Sequence, residues 1–371
     1  MGERPIIFRD LKLKGSHTLL ALSLAATACS QGVEATGVNF ESFDRLPTPS
    51  PTAIPDLTAL PVIEPSTETR LVRTVTPTAT HTPEIMMSER NEIRSLMEKY
   101  GRVDEHYLSN EYWMRYREQL QSYGEASRIL SLEFHGDNYW MYDGGYSMTP
   151  ESFEEQMQFL MERDYHFVTA IELEMFITGK LPLPARSIVL TTDSGNASHE
   201  SIPRITLLFQ KLEREYGYRP HMISAIWTMS MDEGESILCE DDACWSVFRN
   251  ALDSGYFSFG THTESHRDFA SMSPEEGVSN IRQSINEIRV ALGITVRGGT
   301  WPFESCPDYS DELGLEYFFG GRSYPIDDAY VHRGDELSMC LPRLFPPNPN
   351  GVSGRPNGLT LEQMLFNALS E

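Results

Sequence analysis

An α/β fold built on a largely parallel sheet or barrel is what this chain predicts. Two observations lead there. From Ile129 onward, short apolar runs alternate with segments of helical period, the pattern of strands joined by crossover helices. The two segments richest in reactive side chains, Leu190-Thr191-Thr192-Asp193-Ser194-Gly195 and His262-Thr263-Glu264-Ser265-His266, each follow such a run. That puts them at the carboxyl ends of strands, where folds of this kind keep their chemistry.

Met1 to Ala28 reads as a secretory leader. Arg4, Arg9, Lys12 and Lys14 precede an apolar stretch, Thr18 to Ala26, that is too short to span a bilayer and is followed by small residues. Ala26-Thr27-Ala28-Cys29 resembles the bacterial lipobox, in which the cysteine carries the lipid. The expectation is an exported protein of the bacterial cell envelope, lipid-anchored through Cys29 at the outer face of a membrane. Residues 29–87 are dominated by Pro, Thr, Ser and Ala, as in Pro47-Thr48-Pro49-Ser50-Pro51-Thr52, without a hydrophobic period. They predict a disordered tether that can reach on the order of 100 Å.

Residues 88–127 predict a helical lead-in. Ile93, Leu96, Met97 and Tyr100 fall at helical spacing behind Ser88, read as the cap, and a second helix covers Glu111 to Tyr123. Tyr107, Tyr112, Trp113 and Tyr116 are expected to pack on the domain that follows, residues 128–371. There Ile129 to Phe134 reads as a strand ending at His135, and Thr149 opens a helix with Phe153, Met157, Leu160 and Met161 on one face. Strand 166–170 and helix 171–178 lead to the buried strand 187–192, which ends on Asp193. Helix 200–215, strand 221–227 and helix 243–254 come next. Strand 256–260 then delivers His262, and helix 273–292 packs through Ile281, Ile285, Ile288 and Leu292.

Composition narrows the partners. The formal net charge is −24, and residues 1–28 carry four bases against two acids, so the remainder is more acidic still. Such a chain excludes nucleic acid and anionic lipid as main partners and accommodates a neutral or cationic ligand. Of five cysteines, lipidation of Cys29 leaves Cys239, Cys244, Cys306 and Cys340. An even number in an exported chain suggests disulfides. Cys239–Cys244 and Cys306–Cys340 is the favoured pairing, with two other pairings and free thiols still open. No Cys-x-x-Cys pair is present, which argues against zinc held by cysteine.

Two histidines four apart can offer their imidazoles to one ion, with a carboxylate at a strand end acting beside them. That set suits metal-assisted hydrolysis. It is not the zincin pattern, because Thr263 follows His262 and Glu264 stands one place late for that general base.

Between about Leu130 and Arg343 the chain resembles the polysaccharide deacetylases, carbohydrate esterase family 4 or NodB-homology domains. Leu132-Glu133-Phe134-His135 is similar to the family's opening strand, which usually ends Tyr-His. Thr149-Pro150-Glu151-Ser152-Phe153, followed by Leu160 and Tyr165, matches its first helix. Val189 to Gly195 stands where the family has Thr-Phe-Asp-Asp-Gly, and Phe259 to His266 fits its second motif. Met272-Ser273-Pro274-Glu275-Glu276 resembles the Leu-Ser-Pro-Glu-Glu of the next helix. Thr300-Trp301-Pro302-Phe303-Glu304 corresponds to a third motif of Tyr-Pro-Phe-Gly type, and Leu341-Pro342-Arg343 to a late Leu-Pro-Arg of the same subgroup.

The resemblance implies a distorted (β/α) barrel preceded by short helices, and removal of acetyl groups from N-acetylated sugars of a cell-surface polysaccharide. It implies one divalent metal, zinc with cobalt or nickel as alternatives, held by His262 and His266, with Asp193 as base. Trp301, Pro302 and Phe303 would line the substrate groove, Arg343 would orient Asp193, and His135 would serve as acid or substrate contact. Four departures stand out. Ser194 replaces the family's metal-binding Asp, and water, Asn196, His199 or a shifted Asp193 are the candidates to fill the gap. Thr300 stands where many members have arginine, with Arg297 nearby but out of register. Glu304 replaces a glycine. No histidine follows His332 to act as the usual acid, leaving His135 and Asp308 as candidates. The rival expectation is a relative that binds glycan without turnover. Which polymer it acts on and the oligomeric state are left open by the sequence.

Overall fold

The computed structural model describes residues 83–135, 149–195, 198–229, 243–320, 330–335, 338–346 and 360–369. The leader, Cys29, most of the expected tether, Asn196 and Cys239 lie outside them, as do the side chains of His135 and His199. One sheet organises the described residues. Its parallel strands are β1 (Arg128–His135), β3 (Ser187–Ser194), β4 (Met222–Ile226), β5 (Phe257–Thr261), β6 (Gly298–Thr300) and β7 (Tyr317–Phe319). They follow one another as β7-β6-β5-β4-β3-β1, with the short β2 (His166–Phe167) beside β3 and antiparallel β8 (Tyr330–His332) on the outer edge of β1.

Side-chain parity explains why such apolar strands are stable. Every residue of β3 is buried, as a parallel strand covered on both faces requires. Ile188 and Leu190 join one apolar cluster with the surrounding helices, whereas Val189 joins a second cluster on the concave side. The same split separates Leu130, Leu132 and Phe134 from Ile129, and Met222 and Ile226 from Ile223. With a period of two, Val189, Thr191 and Asp193 therefore share the interior face.

The crossover helices start where short polar side chains replace the missing turn. Thr149 accepts from Ser152 N at 3.2 Å to open the helix Pro150–Glu162, and Thr169 and Ser273 form capping boxes with Glu172 and Glu276. Ser88 does not cap the first helix. That helix runs Pro83–Lys99 and leaves Ser88 inside it. Ile93, Met97, Trp113 and Tyr116 of the two lead-in helices, the second being Asn110–Tyr123, belong to the interior cluster with Val189 and Ile223. Tyr116 also donates its buried hydroxyl to Pro182 O at 2.6 Å.

Between β7 and β1 the wall is completed by an irregular strip. Leu341 bridges to Phe319 of β7, and Leu344 bridges to Leu132 of β1. Four backbone hydrogen bonds of 2.7–2.9 Å make this seam: Leu341 N to Phe318 O, Gly320 N to Leu341 O, Leu344 N to Ser131 O, and Glu133 N to Leu344 O. The result is a half-barrel curled on itself, with Arg343 carried by the closing strip. Cys306 and Cys340 are bonded to each other, 5.8 Å apart between Cα atoms, at one end of that strip. Cys244 is also disulfide-bonded, to a partner outside the described residues.

Because Trp113 is 6 % exposed and sits in the interior cluster while Met114 beside it is 48 % exposed, their truncations should differ. Trp113→Ala is expected to cost about 3–5 kcal/mol and Met114→Ala about 0.5 kcal/mol or less, read from urea unfolding of the two variants. Equal small losses would show that the lead-in helices unfold apart from the barrel.

Candidate functional site

At the carboxyl ends of the strands, the interior parity brings charged residues together. Asp193 ends the interior row of β3 and pairs in register with His135 of β1 and Ala225 of β4. Glu133 on β1 shares the parity of Ile129, opposite to the outward Leu132 and Phe134, and so faces the interior. His262 follows β5, whose Phe257 and Phe259 pack outward, and Thr300 closes β6. Arg343 reaches the same point from the closing strip.

Arg343 fixes Asp193 with both arms of its fork. Its Nη1 donates to Asp193 Oδ1 at 2.8 Å and its Nη2 to Oδ2 at 2.9 Å, a bidentate pair that sets the plane of the carboxylate. Nη2 also lies 3.0 Å from Glu133 Oε1. All three side chains are at least nine-tenths buried. Burial works against the guanidinium's charge, but Asp193 and Glu133 more than offset this and raise its pKa. For Glu133 burial dominates and pushes the carboxyl well above its usual range; Arg343 opposes the shift, and the neighbouring Asp193 and Glu304 add to it.

The bonding also assigns the tautomer of His262. Its Nδ1 lies 3.0 Å from Thr300 O and 2.6 Å from Thr300 Oγ1. A carbonyl only accepts, so Nδ1 carries the hydrogen. Thr300 in turn donates its hydroxyl to Asp193 Oδ1 at 2.8 Å. His262 Nε2 is then an acceptor, and it faces Asp193 Oδ2 at 3.6 Å. Burial lowers the imidazole pKa to about 4, with His266 and Arg343 adding to the shift and Asp193 opposing it. At neutral pH two electron-rich groups thus confront one another in a buried site.

His266 stands beside them, its ring 4.7 Å from that of His262 between centroids. The turn that carries both histidines is held by Asn280 of the helix Pro274–Leu292. Its side chain accepts from Glu264 N at 3.0 Å and donates to Glu264 Oε2 and Ser265 Oγ. His266 N donates to Thr263 Oγ1 at 3.2 Å. Thr263, His266, Phe303 and Glu304 all have φ between 50° and 69°, and for β-branched Thr263 that conformation is costly. Strain of this kind gathers where a structure fixes a functional geometry.

A divalent ion makes specific demands on these donors. A neutral imidazole whose Nδ1–H is anchored on a carbonyl, with Nε2 aimed at a carboxylate, is the ligand arrangement such an ion requires. His262 meets that requirement and His266 lies alongside. The third position does not follow the family pattern. Ser194 alternates with Asp193, so its hydroxyl points to the helix-covered face and donates no charge inward; it accepts from Ser224 Oγ at 2.9 Å. Among the described residues no three His, Cys, Asp or Glu side chains form a complete metal-holding group.

Other expected residues fall elsewhere. Trp301 does not line a groove: it is fully buried, stacked 4.2 Å from Phe318, and donates its indole N–H to Met339 O. Parity is the reason, since Thr300 points inward and Trp301 must point out. Pro302 is buried as well, and only Phe303 of that trio is exposed, at 65 %. Its ring stands edge-on to His266 at 5.1 Å. Arg297 pairs with Glu174 and Glu316 ahead of β6, away from the site. Asp308 is exposed. Sequence reasoning missed Glu133 and Trp227. The first was readable as an acid at an interior position of an apolar strand. The second follows β4 directly and lies 4.9 Å from the His266 ring.

His262 offers a pH test. Its folded pKa, about 4, lies below its ordinary value of 6.5. Its contribution to stability is therefore complete above about pH 6.5 and is lost as pH falls toward 4. NMR titration of the metal-free protein should give the His262 ring a midpoint near 4, and a midpoint near 6.5 would show a solvated ring.

Comparison with known proteins bears on family and fold. Residues 180–317 match the family model described as Polysaccharide deacetylase. No curated protein sequence matches the chain. The solved structure of IcaB from Ammonifex degensii superposes with a TM-score of 0.50 at 16 % identity, covering 66 % of this chain and 99 % of that one. A polysaccharide deacetylase from Bacillus cereus gives 0.48 at 20 % identity, covering 66 % and 69 %. The Streptococcus pyogenes deacetylase PplD in complex with acetate gives 0.49 at 15 % identity, covering 61 % and 96 %. At 16 % identity the likeness to IcaB is one of fold. The family assignment rests on residues 180–317 alone, which match the polysaccharide deacetylase model from just before β3 to the start of β7.

Proposed function

We propose that this protein is a metal-dependent deacetylase, an amide hydrolase that removes acetyl groups from an N-acetylated cell-surface polysaccharide such as peptidoglycan or poly-N-acetylglucosamine. The observation that carries the reading is the buried carboxylate of Asp193, gripped by Arg343 and facing the acceptor nitrogen of His262. In the same reading the protein is exported and lipid-anchored through Cys29, so the glycan lies on the outer face of the membrane.

His262 and His266 would hold a divalent ion, zinc with cobalt or nickel as alternatives, whose chemistry when bound is polarisation of the amide carbonyl. Asp193 Oδ2 takes the proton of the attacking water. Arg343 holds that carboxylate in one plane, and the Thr300 hydroxyl on Oδ1 keeps it from rotating. The Thr300 carbonyl keeps the His262 hydrogen on Nδ1, so Nε2 stays available inside the site. Phe303, exposed beside His266, offers an apolar face to the sugar ring.

A second reading, glycan binding without turnover, is favoured by one observation: Ser194 is neutral, turned from the interior and spent on Ser224. The two readings divide on acetate. The full-length protein loaded with zinc should release acetate from N-acetylglucosamine oligomers, and Asp193→Asn should lower kcat about 10²–10⁴-fold while the fold, checked by circular dichroism, persists. Oligomer binding without acetate release under zinc, cobalt or nickel would establish the second reading. Replacement of His262 by Gln should weaken zinc retention in equilibrium dialysis at least tenfold, about the cost of a lost imidazole ligand or its support. Unchanged retention would remove His262 from the ligand set.

A further inference from the structure

At the opposite end of the half-barrel from the site, the structure contains a cavity of about 100 Å³. Its floor is made by residues at the start of β5 and just before β4 and β6, and its roof by the lead-in, with Met97, Tyr100 and Tyr107. Leu252, Phe257, Phe259 and Ile294 supply much of the remaining wall. Protein interiors pack closely and tolerate few voids larger than a water molecule. This space is partly open to solvent, and its mostly apolar lining forgoes dispersion contacts where it faces the gap.

The polar groups around it are already satisfied within the protein. His221 sits in the wall with Nδ1 2.7 Å from the Tyr107 hydroxyl and Nε2 2.8 Å from Ser258 Oγ. Burial pushes its pKa down to about 3, so the ring is neutral. The three charged residues of the lining are paired as well: Arg102 with Asp253 at 2.7 Å, Asp104 with Arg219 at 3.3 Å, and Arg297 with Glu174 at 3.0 Å. Tyr100 donates to Glu174. A charged ligand would compete with these existing pairs, of which Arg297–Glu174 is the most buried. An uncharged one meets a lining that is mostly apolar, with its polar groups already partnered within the protein.

We propose that this cavity is a binding site for a small uncharged aromatic molecule, one six-membered ring in size. An apolar cavity of about 150 Å³ stays dry and accepts benzene or xenon, and the volume here suits a single ring. The aromatic walls favour edge-to-face contact with it. Since the roof comes from the lead-in and the floor from the barrel, an occupant ties the two together and raises the stability of the folded chain. Nothing in this site depends on Asp193, His262 or His266, so it stands whether or not the protein turns over acetyl groups.

Fluorobenzene followed by fluorine NMR tests the site on the full-length protein. Binding should be saturable with a Kd of about 1 mM or tighter. Leu252→Phe and Ile294→Phe, which fill the space from separate walls, should each weaken it at least about tenfold. Non-saturable broadening, or equal binding by folded variants, would overturn the proposal. Xenon-pressurised crystals of the unsubstituted protein give a reading that no folding defect can confuse: a xenon peak between Leu252 and Ile294 supports the site, and an empty cavity refutes it.

Discussion

The paired hydrogen bonds from Arg343 to Asp193 join parts of the chain that lie far apart in sequence. Asp193 ends a central strand, whereas Arg343 belongs to an irregular strip 150 residues later. The strip has no ladder of its own to position it. It is held by four backbone bonds to β1 and β7 and by the fork on Asp193. A buried pair of this geometry is weak evidence for net stability, since both charges were taken from water. Its larger effect is on arrangement. With Arg343 in place, Asp193, Glu133 and Thr300 have one mutual orientation.

That arrangement decides the character of the site. Burial raises the Glu133 carboxyl pKa, while Arg343 spreads its fork over Asp193 and also reaches Glu133. Thr300 serves both partners: its hydroxyl bonds Asp193 and its carbonyl fixes the His262 tautomer. The guanidinium comes from Arg343 on the closing strip. Around this charged layer the backbone of Thr263, His266, Phe303 and Glu304 is held at positive φ, so the loops bearing the histidine pair and the exposed Phe303 are shaped before any ligand arrives.

Much of this was legible in the sequence. The alternation from Ile129 onward named the fold, and the expected helix 243–254 coincides with Ala243–Ser254. Asp193 and His262 were found because each ends an apolar run. What escaped was governed by contacts distant in sequence. β6, β7 and β8 are three residues long each, too short to show a period, and the strip Leu341–Leu344 forms no strand at all. Trp301 was misplaced because a motif gives order along the chain but not parity. Ser88 resembled a cap because serine favours that position, but Pro83 opens the same helix five residues earlier.

The seam between β7 and β1 has one more consequence. Every other junction in the central sheet is an element in its own right, but this one is a few residues of loop, stapled by Cys306–Cys340 two residues beyond Glu304 and three before Arg343. Closure of the wall and aim of the carboxylate therefore share a single point of failure. In an oxidising compartment that point is locked. In a reducing one, the strip would be left with its four backbone bonds and the fork on Asp193 to hold the wall closed.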